Sequence, residues 1–168
     1  MKQLTLIRHA KSSWSEPGLT DFDRPLNKRG ARDAPMMGER LATAGVHFGR
    51  MISSPARRAL STARLIAQSI GYPGEQIETE PLFYEASIHA LLDYASRLDD
   101  QYTKVALIGH NPSMSLLAHR LCPEAPGDLP TCAIVRLECE IDAWRELSPG
   151  QASLLELDYP RKARHQNQ

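Results

Sequence analysis

Residues 4–11 read Leu-Thr-Leu-Ile-Arg-His-Ala-Lys, and the architecture can be inferred outward from this stretch. Its apolar residues predict a short strand buried on both faces, which is typical of the parallel sheets of α/β proteins. Arg8 and His9 follow at once, where the strand must end. Open α/β sheets hold ligands at the carboxyl ends of their strands, so we predict an anion site here. Taken alone, the pair also fits a strand end that merely reaches solvent, because both residue types are common at surfaces.

The composition indicates one domain with a full core, since the chain has 168 residues of which 42% are hydrophobic. We expect this domain to span residues 1–159 and residues 160–168 to form a mobile polar tail. Lys and Arg together number 20, as do Asp and Glu, so no overall field favours nucleic acid or a membrane surface as partner. Neither a membrane-spanning run nor a signal-peptide pattern is visible, which predicts a cytoplasmic protein.

The three cysteines are Cys122, Cys132 and Cys139. Their number is odd, and they lack CxxC or Cys/His ligand spacing, so the sequence indicates neither a disulfide framework nor a zinc site. We expect three buried free thiols.

A second histidine occupies the same kind of position as His9. Residues 105–108, Val-Ala-Leu-Ile, predict another buried parallel strand, and Gly-His-Asn-Pro follows at residues 109–112. Asn111 as cap and Pro112 as first residue would begin a helix. His110 should therefore stand at a strand's carboxyl end, and carboxyl ends of parallel strands share one edge of a sheet.

An arginine at a helix start adds to this edge. A short apolar stretch at residues 51–52 ends in Ser53-Ser54-Pro55, where a serine cap and proline predict a helix start; Gly71 predicts its end. Arg57 falls on the polar stripe of this helix, whereas Arg58 borders the buried stripe. An inward arginine near a helix N-terminus offers a planar fork to phosphate or carboxylate. The alternative is a flanking arginine that extends to water.

Two loops carry further candidates. Residues 11–25 have no apolar period, and their cluster of Asp21, Asp23 and Arg24 could either tie the loop down by ion pairs or be solvated. Glu85 precedes a helix that Ser87 would cap, and loops at such positions often carry site residues, although a lone Glu is often just solvated.

The remaining elements complete the fold prediction. Asn27 is predicted to cap a helix that ends near Gly45. Residues 77–83 predict a weak extended segment, and residues 134–137 and 153–157 predict two more strands. Together these elements predict a single-domain α/β fold, a three-layer sandwich with a mostly parallel central sheet and helices on both faces.

Three motifs in this order resemble those of the histidine phosphatase superfamily, the phosphoglycerate-mutase-like proteins. Arg8-His9-Ala10 resembles the Arg-His-Gly signature, with alanine in place of glycine. Residues 54–63 resemble the second motif, in which the arginine before alanine binds phosphate; here that arginine is Arg58. Residues 109–112 resemble the second-histidine motif. The short chain and Arg-His-Ala-Lys-Ser at residues 8–12 are similar to the SixA-type phosphohistidine phosphatases.

The chemistry of these residues agrees with the resemblance. A phosphoryl group in transfer spreads negative charge over its equatorial oxygens, which Arg8, Arg58 and a protonated His110 can bind from several sides. His9 is then the in-line nucleophile, which forms a phosphohistidine that water hydrolyses. The resemblance implies an acidic residue that protonates the leaving group, and Glu85 is the best positional candidate. No metal or other cofactor is expected, because the arginines supply the positive charge.

We therefore predict a metal-independent phosphatase that dephosphorylates phosphohistidine in a protein. Two alternatives stay open: a small-molecule phosphomonoesterase or mutase of the same superfamily, and a non-catalytic phosphate-binding module. The short chain disfavours a mutase, which the resemblance implies would carry extra segments that close over a small substrate. The remaining histidines fit no motif and are assigned no role; they are His47, His89, His119 and His165.

Overall fold

The structure is a computed structural model that describes residues 1–163, and its centre is a six-stranded sheet. The strands are β1 (Lys2–Arg8), β2 (Arg50–Ser53), β3 (Glu78–Thr79), β4 (Lys104–Gly109), β5 (Ile134–Cys139) and β6 (Ala152–Asp158). The helices are α1 (Lys28–Thr43), α2 (Arg57–Ile70), α3 (Ile88–Ser96) and α4 (Ser113–Leu121). The predicted α/β fold with a mostly parallel sheet is confirmed.

Strand β1 lies inside the sheet, whose strand order is β3-β2-β4-β1-β5-β6. Strands β1, β2, β3 and β4 are parallel, whereas β5 runs antiparallel to both β1 and β6. In the pairing of β1 with β4, Arg8 lies opposite Gly109. This register brings the residues after both strands, His9 and His110, to the same edge of the sheet.

Helices cover both faces because successive strand residues point to opposite sides. Ile7 and Ile108 belong to the apolar cluster that contains the inner faces of α1 and α2. Leu6 and Leu107 belong to the other cluster, with α3, α4 and the fully buried Trp144. The apolar runs that predicted β1 and β4 therefore supply both cores, as expected for strands buried on both faces.

Two predicted helix caps are confirmed, and two others are wrong. Asn27 caps α1 by accepting from the Gly30 amide at 2.8 Å, and Ser87 caps α3 through the Ala90 amide at 3.1 Å. Helix α2, however, begins at Arg57 rather than at Pro55, and α4 begins after Pro112 rather than with it. The reason is that the Ser54 and Asn111 side chains make contacts across the fold, described below.

The remaining strands and the cysteines agree with the sequence prediction. Residues 77–83 form β3 and a 3₁₀ turn at Pro81–Phe83, and the last two strands are present and slightly longer than predicted. All three cysteines are free and buried. In residues 1–163, no helix has the length and apolar character to cross a membrane. The predicted tail lies beyond the described residues from position 164 onward, and His165 with it.

Candidate active site

The two histidines predicted from the strand ends are brought together. The His9 amide donates to the Gly109 carbonyl at 3.0 Å, which extends the β1–β4 pairing by one residue. The centroids of the His9 and His110 rings are 5.1 Å apart. Each side chain is more than nine-tenths buried, so the pair forms the floor of a site rather than a solvated strand end.

An open cavity of about 250 Å³ lies over this pair. Four of the five site residues predicted from the sequence line it, and Glu85 is not among the lining residues. The lining residues are Arg8, His9, Lys11, Ser12, Trp14, Arg24, Arg58, His110, Asn111 and Thr131.

His9 has the tautomer that a nucleophile needs. Its Nδ1 lies 2.7 Å from the Ala10 carbonyl oxygen, which can only accept, so Nδ1 carries the proton and the Nε2 lone pair is free. Burial lowers the pKa of His9 to about 4, and the positive charges of Arg58 and Arg8 act in the same direction. The ring is therefore neutral at pH 7.

Ala10 stands where the Arg-His-Gly signature has glycine, and it is not among the residues that line the cavity. Ala10 is fully buried and packs in the apolar cluster beneath α1 and α2. Its amide donates to Thr62 Oγ1 at 3.0 Å, and that hydroxyl donates to the Arg58 carbonyl at 2.7 Å. Thr62 thus connects the backbone after the nucleophile to the first turn of α2.

His110 is held by Ser54. Its Nε2 lies 2.8 Å from Ser54 Oγ, which also accepts from the Ala56 amide at 3.2 Å. Ser54 Oγ keeps its own proton to donate to Nε2, and with that donation the ring proton of His110 is on Nδ1. Burial lowers the pKa of His110 to about 3, helped by repulsion from His9 and Arg58. In the free protein His110 is thus a neutral donor, not the imidazolium considered from the sequence.

The two arginines are each fixed through their terminal nitrogens. Arg8 Nη1 donates to the Leu129 carbonyl at 2.7 Å. Arg58 donates through Nη1 to the Asp21 carbonyl at 2.6 Å and through Nη2 to the Asp21 carboxylate at 3.0 Å. Arg58 is only 6% exposed, whereas Arg57 is exposed, as the helix phase predicts.

Three buried donors around the cavity have no hydrogen-bond partner among the described residues: Arg8 Nε, Arg58 Nε and His110 Nδ1. A buried polar group without a partner costs about 1–3 kcal/mol. The three donors belong to residues that line one cavity, and two of them are on guanidinium groups, which favours an anionic ligand with several oxygens, such as a phosphoryl group.

The loop cluster of Asp21, Asp23 and Arg24 divides into two parts. Asp21 accepts from Arg58, from Arg24 Nε at 3.1 Å and from the Tyr84 hydroxyl at 2.7 Å. The Tyr84 hydrogen bond and the Arg58 charge lower the pKa of Asp21 to about 2, so it is ionised at pH 7 and is no proton donor. Asp23 is exposed and its carboxylate accepts from Thr20, so it remains at the solvated surface.

Glu85 lies in the exposed segment before α3, outside the cavity wall. Its neighbour Tyr84 is the residue of this segment that reaches the site: the Tyr84 ring packs edge-on to His110 with centroids 5.7 Å apart. The role of Glu85 as proton donor therefore stays a prediction.

Sequence reasoning missed several residues that shape the site. Ser54 and Thr62 lie inside the second motif, so their spacing from Arg58 was an available signal. Tyr84 gave none, because its contact with Asp21 joins segments 63 residues apart, and Trp14 gave none, because the loop around it has no apolar period. As for metals, the described part of the chain holds no group of three or more His, Cys, Asp or Glu side chains placed to bind one.

Comparison with known proteins identifies relatives by sequence. The family model of the histidine phosphatase superfamily (branch 1) matches residues 4–93, which include Arg8, His9 and Arg58. An uncharacterized protein of Mycobacterium tuberculosis is 30% identical over 165 residues, which cover 92% of this chain and 100% of that protein.

Solved structures share the fold over almost the whole chain. A SixA protein from Agrobacterium tumefaciens, assigned as a phosphohistidine phosphatase, has a TM-score of 0.81 at 24% identity and covers 95% of this chain and 98% of that one. The protein histidine phosphatase SixA complexed with tungstate has a TM-score of 0.79 at 22% identity, with 94% and 97% covered. This likeness shows the fold, and the sequence match shows the family. The chain belongs to branch 1 of the histidine phosphatase superfamily and has the fold of SixA.

Proposed function

We propose that the protein is a metal-independent phosphatase that takes a phosphoryl group onto Nε2 of His9 and then releases it to water. One observation carries this proposal: a neutral histidine with a free Nε2 lies on the same cavity as three unpartnered buried donors. A module that only binds phosphate would need the donors but not the nucleophile.

The first step forms the Nε2–P bond. Arg8, Arg58 and His110 bind the equatorial oxygens while Nε2 attacks in line, and the bond to the leaving group breaks with its electron pair. The imidazole becomes positively charged as it is phosphorylated, and its Nδ1–H already points to the Ala10 carbonyl, which stabilises that charge. Water then attacks phosphorus, the P–Nε2 bond breaks, and neutral His9 is restored with inorganic phosphate as product.

The charges needed for this transfer are present in the chain itself. The Arg8 and Arg58 guanidinium groups occupy the role that Mg²⁺ has in many phosphoryl-transfer sites, because both neutralise charge on the equatorial oxygens. We therefore expect the reaction to need no divalent ion.

The cytoplasmic location also stays a proposal, and the free buried cysteines fit a reducing compartment.

Phosphohistidine in a protein is the substrate that we propose. The P–N bond of a phosphoramidate is weak once its nitrogen is protonated, so it depends less on a general acid than an alkyl ester does. Glu85, the candidate acid, lies outside the cavity wall, which suits such a leaving group. The SixA structure that shares this fold carries tungstate, a tetrahedral oxyanion of the kind that the three unpartnered donors would bind.

The test compares kcat/KM for a phosphoramidate and an alkyl phosphate ester in the wild type and in Glu85→Gln. A general acid is worth roughly 10²–10⁴-fold, so a Glu85 that protonates the leaving group should cost the ester a factor in that range and the phosphoramidate less, whereas a Glu85 that stays outside the cavity should cost neither. Glu75→Gln is the control, because Glu75 is exposed and precedes β3, at the opposite edge of the sheet.

The other outcomes separate the alternatives. A larger loss on the phosphoramidate than on the ester, or no phosphoramidate turnover in the wild type, rejects phosphohistidine in favour of a small-molecule phosphatase. A mutase would release little phosphate and would transfer the phosphoryl group to an added acceptor, and a binding module would turn over neither substrate.

A further inference from the structure

An exposed indole forms part of the active-site wall. Trp14 lies in the loop between β1 and α1 and lines the same cavity as Arg8, His9 and His110. It is 77% exposed, whereas the other tryptophan, Trp144, is fully buried in the core. The partners proposed above for the phosphoryl group are Arg8, Arg58 and His110, so the apolar face of this ring is available for another part of the substrate.

Trp14 is held in place by Arg24. The Arg24 guanidinium carbon lies 3.4 Å from the centroid of the Trp14 ring, which is a close cation–π contact. Arg24 is itself only 8% exposed and donates to the Asp21 carboxylate and to Ser12 Oγ at 2.8 Å. The indole therefore rests on a side chain that is fixed by the loop, and much of its surface stays open to the cavity and to solvent.

Such a ring is suited to contact another ring. Aromatic groups gain from stacked or edge-on contact beyond simple burial, and a tryptophan that is already ordered loses little entropy on binding. The cavity of about 250 Å³ has the volume of roughly eight water molecules, so it has room for part of the leaving group beside the phosphoryl group.

We propose that Trp14 is a specificity-determining residue that contacts the leaving group, and that the substrates are compounds whose phosphoryl group is bonded to a planar ring. A phosphorylated imidazole is the P–N member of this class. The inference rests on the proposed function: as the Nε2–P bond of His9 forms, the P–N bond to the ring breaks, and the ring nitrogen keeps the electron pair and takes a proton from water.

Turnover of two P–N substrates tests this proposal. Phosphoimidazole has a ring as leaving group and phosphoramidate has ammonia, so the ratio of their kcat/KM values measures the preference for a ring. We expect Trp14→Leu to lower this ratio about tenfold, the size of one aromatic contact, and Trp14→Phe to retain most of it. Leu116→Ala, which removes an exposed apolar side chain of α4 outside the cavity, should leave the ratio unchanged.

Binding of unreactive analogues separates this proposal from the proposed function. Calorimetry should show that the wild type binds phenylphosphonate more tightly than methylphosphonate and that Trp14→Leu loses the difference. Without turnover but with this difference, the phosphatase proposal fails and ring recognition by Trp14 stands. An unchanged ratio and an unchanged binding difference in Trp14→Leu overturn the role of Trp14 whatever the activity.

Discussion

At the residue scale, burial determines the charge of both active-site histidines. Each ring nitrogen facing the fold has a defined partner, the Ala10 carbonyl for His9 and the Ser54 hydroxyl for His110. The other two ring nitrogens differ. Nε2 of His9 has a free lone pair, whereas Nδ1 of His110 is an N–H donor. His9 is therefore suited to nucleophilic attack and His110 to oxyanion binding, although both stand at equivalent strand ends.

The depressed histidine pKa values predict how the free protein responds to acid. We expect the NMR signals of the His9 ring to titrate with a midpoint of about 4. An unfolded histidine titrates near 6.5, so the unfolded chain binds more protons between these values, and the free energy of unfolding should fall as pH drops from about 6.5 to about 4. Well above pH 6.5 His9 is neutral in both the folded and the unfolded chain, so it no longer makes the free energy of unfolding depend on pH.

His9→Gln identifies the NMR signal and should weaken this acid dependence, measured by urea unfolding at several pH values. A midpoint near 6.5 in the free wild type would contradict the burial argument. Added inorganic phosphate should raise the midpoint, because a bound anion favours the protonated ring.

Arg57 and Arg58 provide a matched pair of substitutions on one helix. Loss of an oxyanion donor costs about 10²–10³-fold in rate, so we expect Arg58→Ala to lower kcat/KM by that factor and Arg57→Ala to change it little. Arg57 is exposed, and within residues 1–163 it donates a long hydrogen bond, 3.4 Å, to the Asp23 carbonyl. Steady-state kinetics on one substrate are sufficient, and equal losses in the two variants would mean that α2 presents a different face to the site.

At the element scale, the start of α1 supports the backbone that follows the nucleophile. A Cβ built on Gly30 would lie 2.1 Å from the Lys11 carbonyl oxygen, which in turn accepts from the Asn27 amide at 3.0 Å. Glycine is therefore needed here for close approach of helix and loop, not for an unusual backbone conformation. Lys11 itself lines the cavity, so the packing of α1 is coupled to the shape of the site.

This contact predicts a large effect of Gly30→Ala. The added methyl must displace backbone, and overpacking of this kind costs about 1–3 kcal/mol of unfolding free energy. We expect lower kcat/KM as well, because the cavity wall shifts. Gly74→Ala is the control, since its Cβ would meet nothing within 4 Å. Equal unfolding midpoints for the two variants in urea would contradict the role assigned to Gly30.

The elements that the sequence predicts best are those set by local pattern. Apolar runs predict β1 and β4, and the 3.6-residue period separates Arg58 from Arg57. The starts of α2 and α4 are predicted wrongly because their expected caps bond elsewhere. Ser54 Oγ reaches His110, 56 residues away, and Asn111 donates to the Leu129 carbonyl at 3.0 Å. Local propensity cannot anticipate such contacts.

The loop contributions to the site show the same limit. Tyr84 and Asp21 are 63 residues apart, and their hydrogen bond exists only because the fold brings both segments to Arg58. The sequence selected Glu85 by its charge, yet the neighbouring Tyr84 is the side chain that contacts His110. An aromatic residue in a loop carries no pattern that distinguishes a site from a surface.

At the scale of the whole molecule, a neutral chain carries a local anion site. Formal charges cancel overall, so attraction for a phosphorylated substrate must come from the cavity, where Arg8, Arg24, Arg58 and Lys11 are close together. Asp21 offsets part of this charge and holds Arg58 in position. The balance explains how an anion can be bound without a broadly basic surface.

This concentration of charge predicts that turnover survives removal of divalent ions. Phosphate release should be the same in EDTA as in buffer with Mg²⁺, because the arginines neutralise the equatorial oxygens. A colorimetric phosphate assay measures it, with an Mg²⁺-dependent phosphatase as positive control. Activity that disappears in EDTA and returns with an added divalent ion would contradict the metal-free mechanism.

Trapping the phosphorylated protein shows whether His9 carries the phosphoryl group. Rapid mixing with a phosphoramidate, quenching in base and peptide mass spectrometry should place one phosphoryl group on the peptide that contains His9. The adduct should be stable to base and labile to acid, and His9→Ala should lose both the adduct and turnover. Normal labelling of His9→Ala, or turnover by the wild type with the phosphoryl group on another residue, would show that His9 is not the nucleophile.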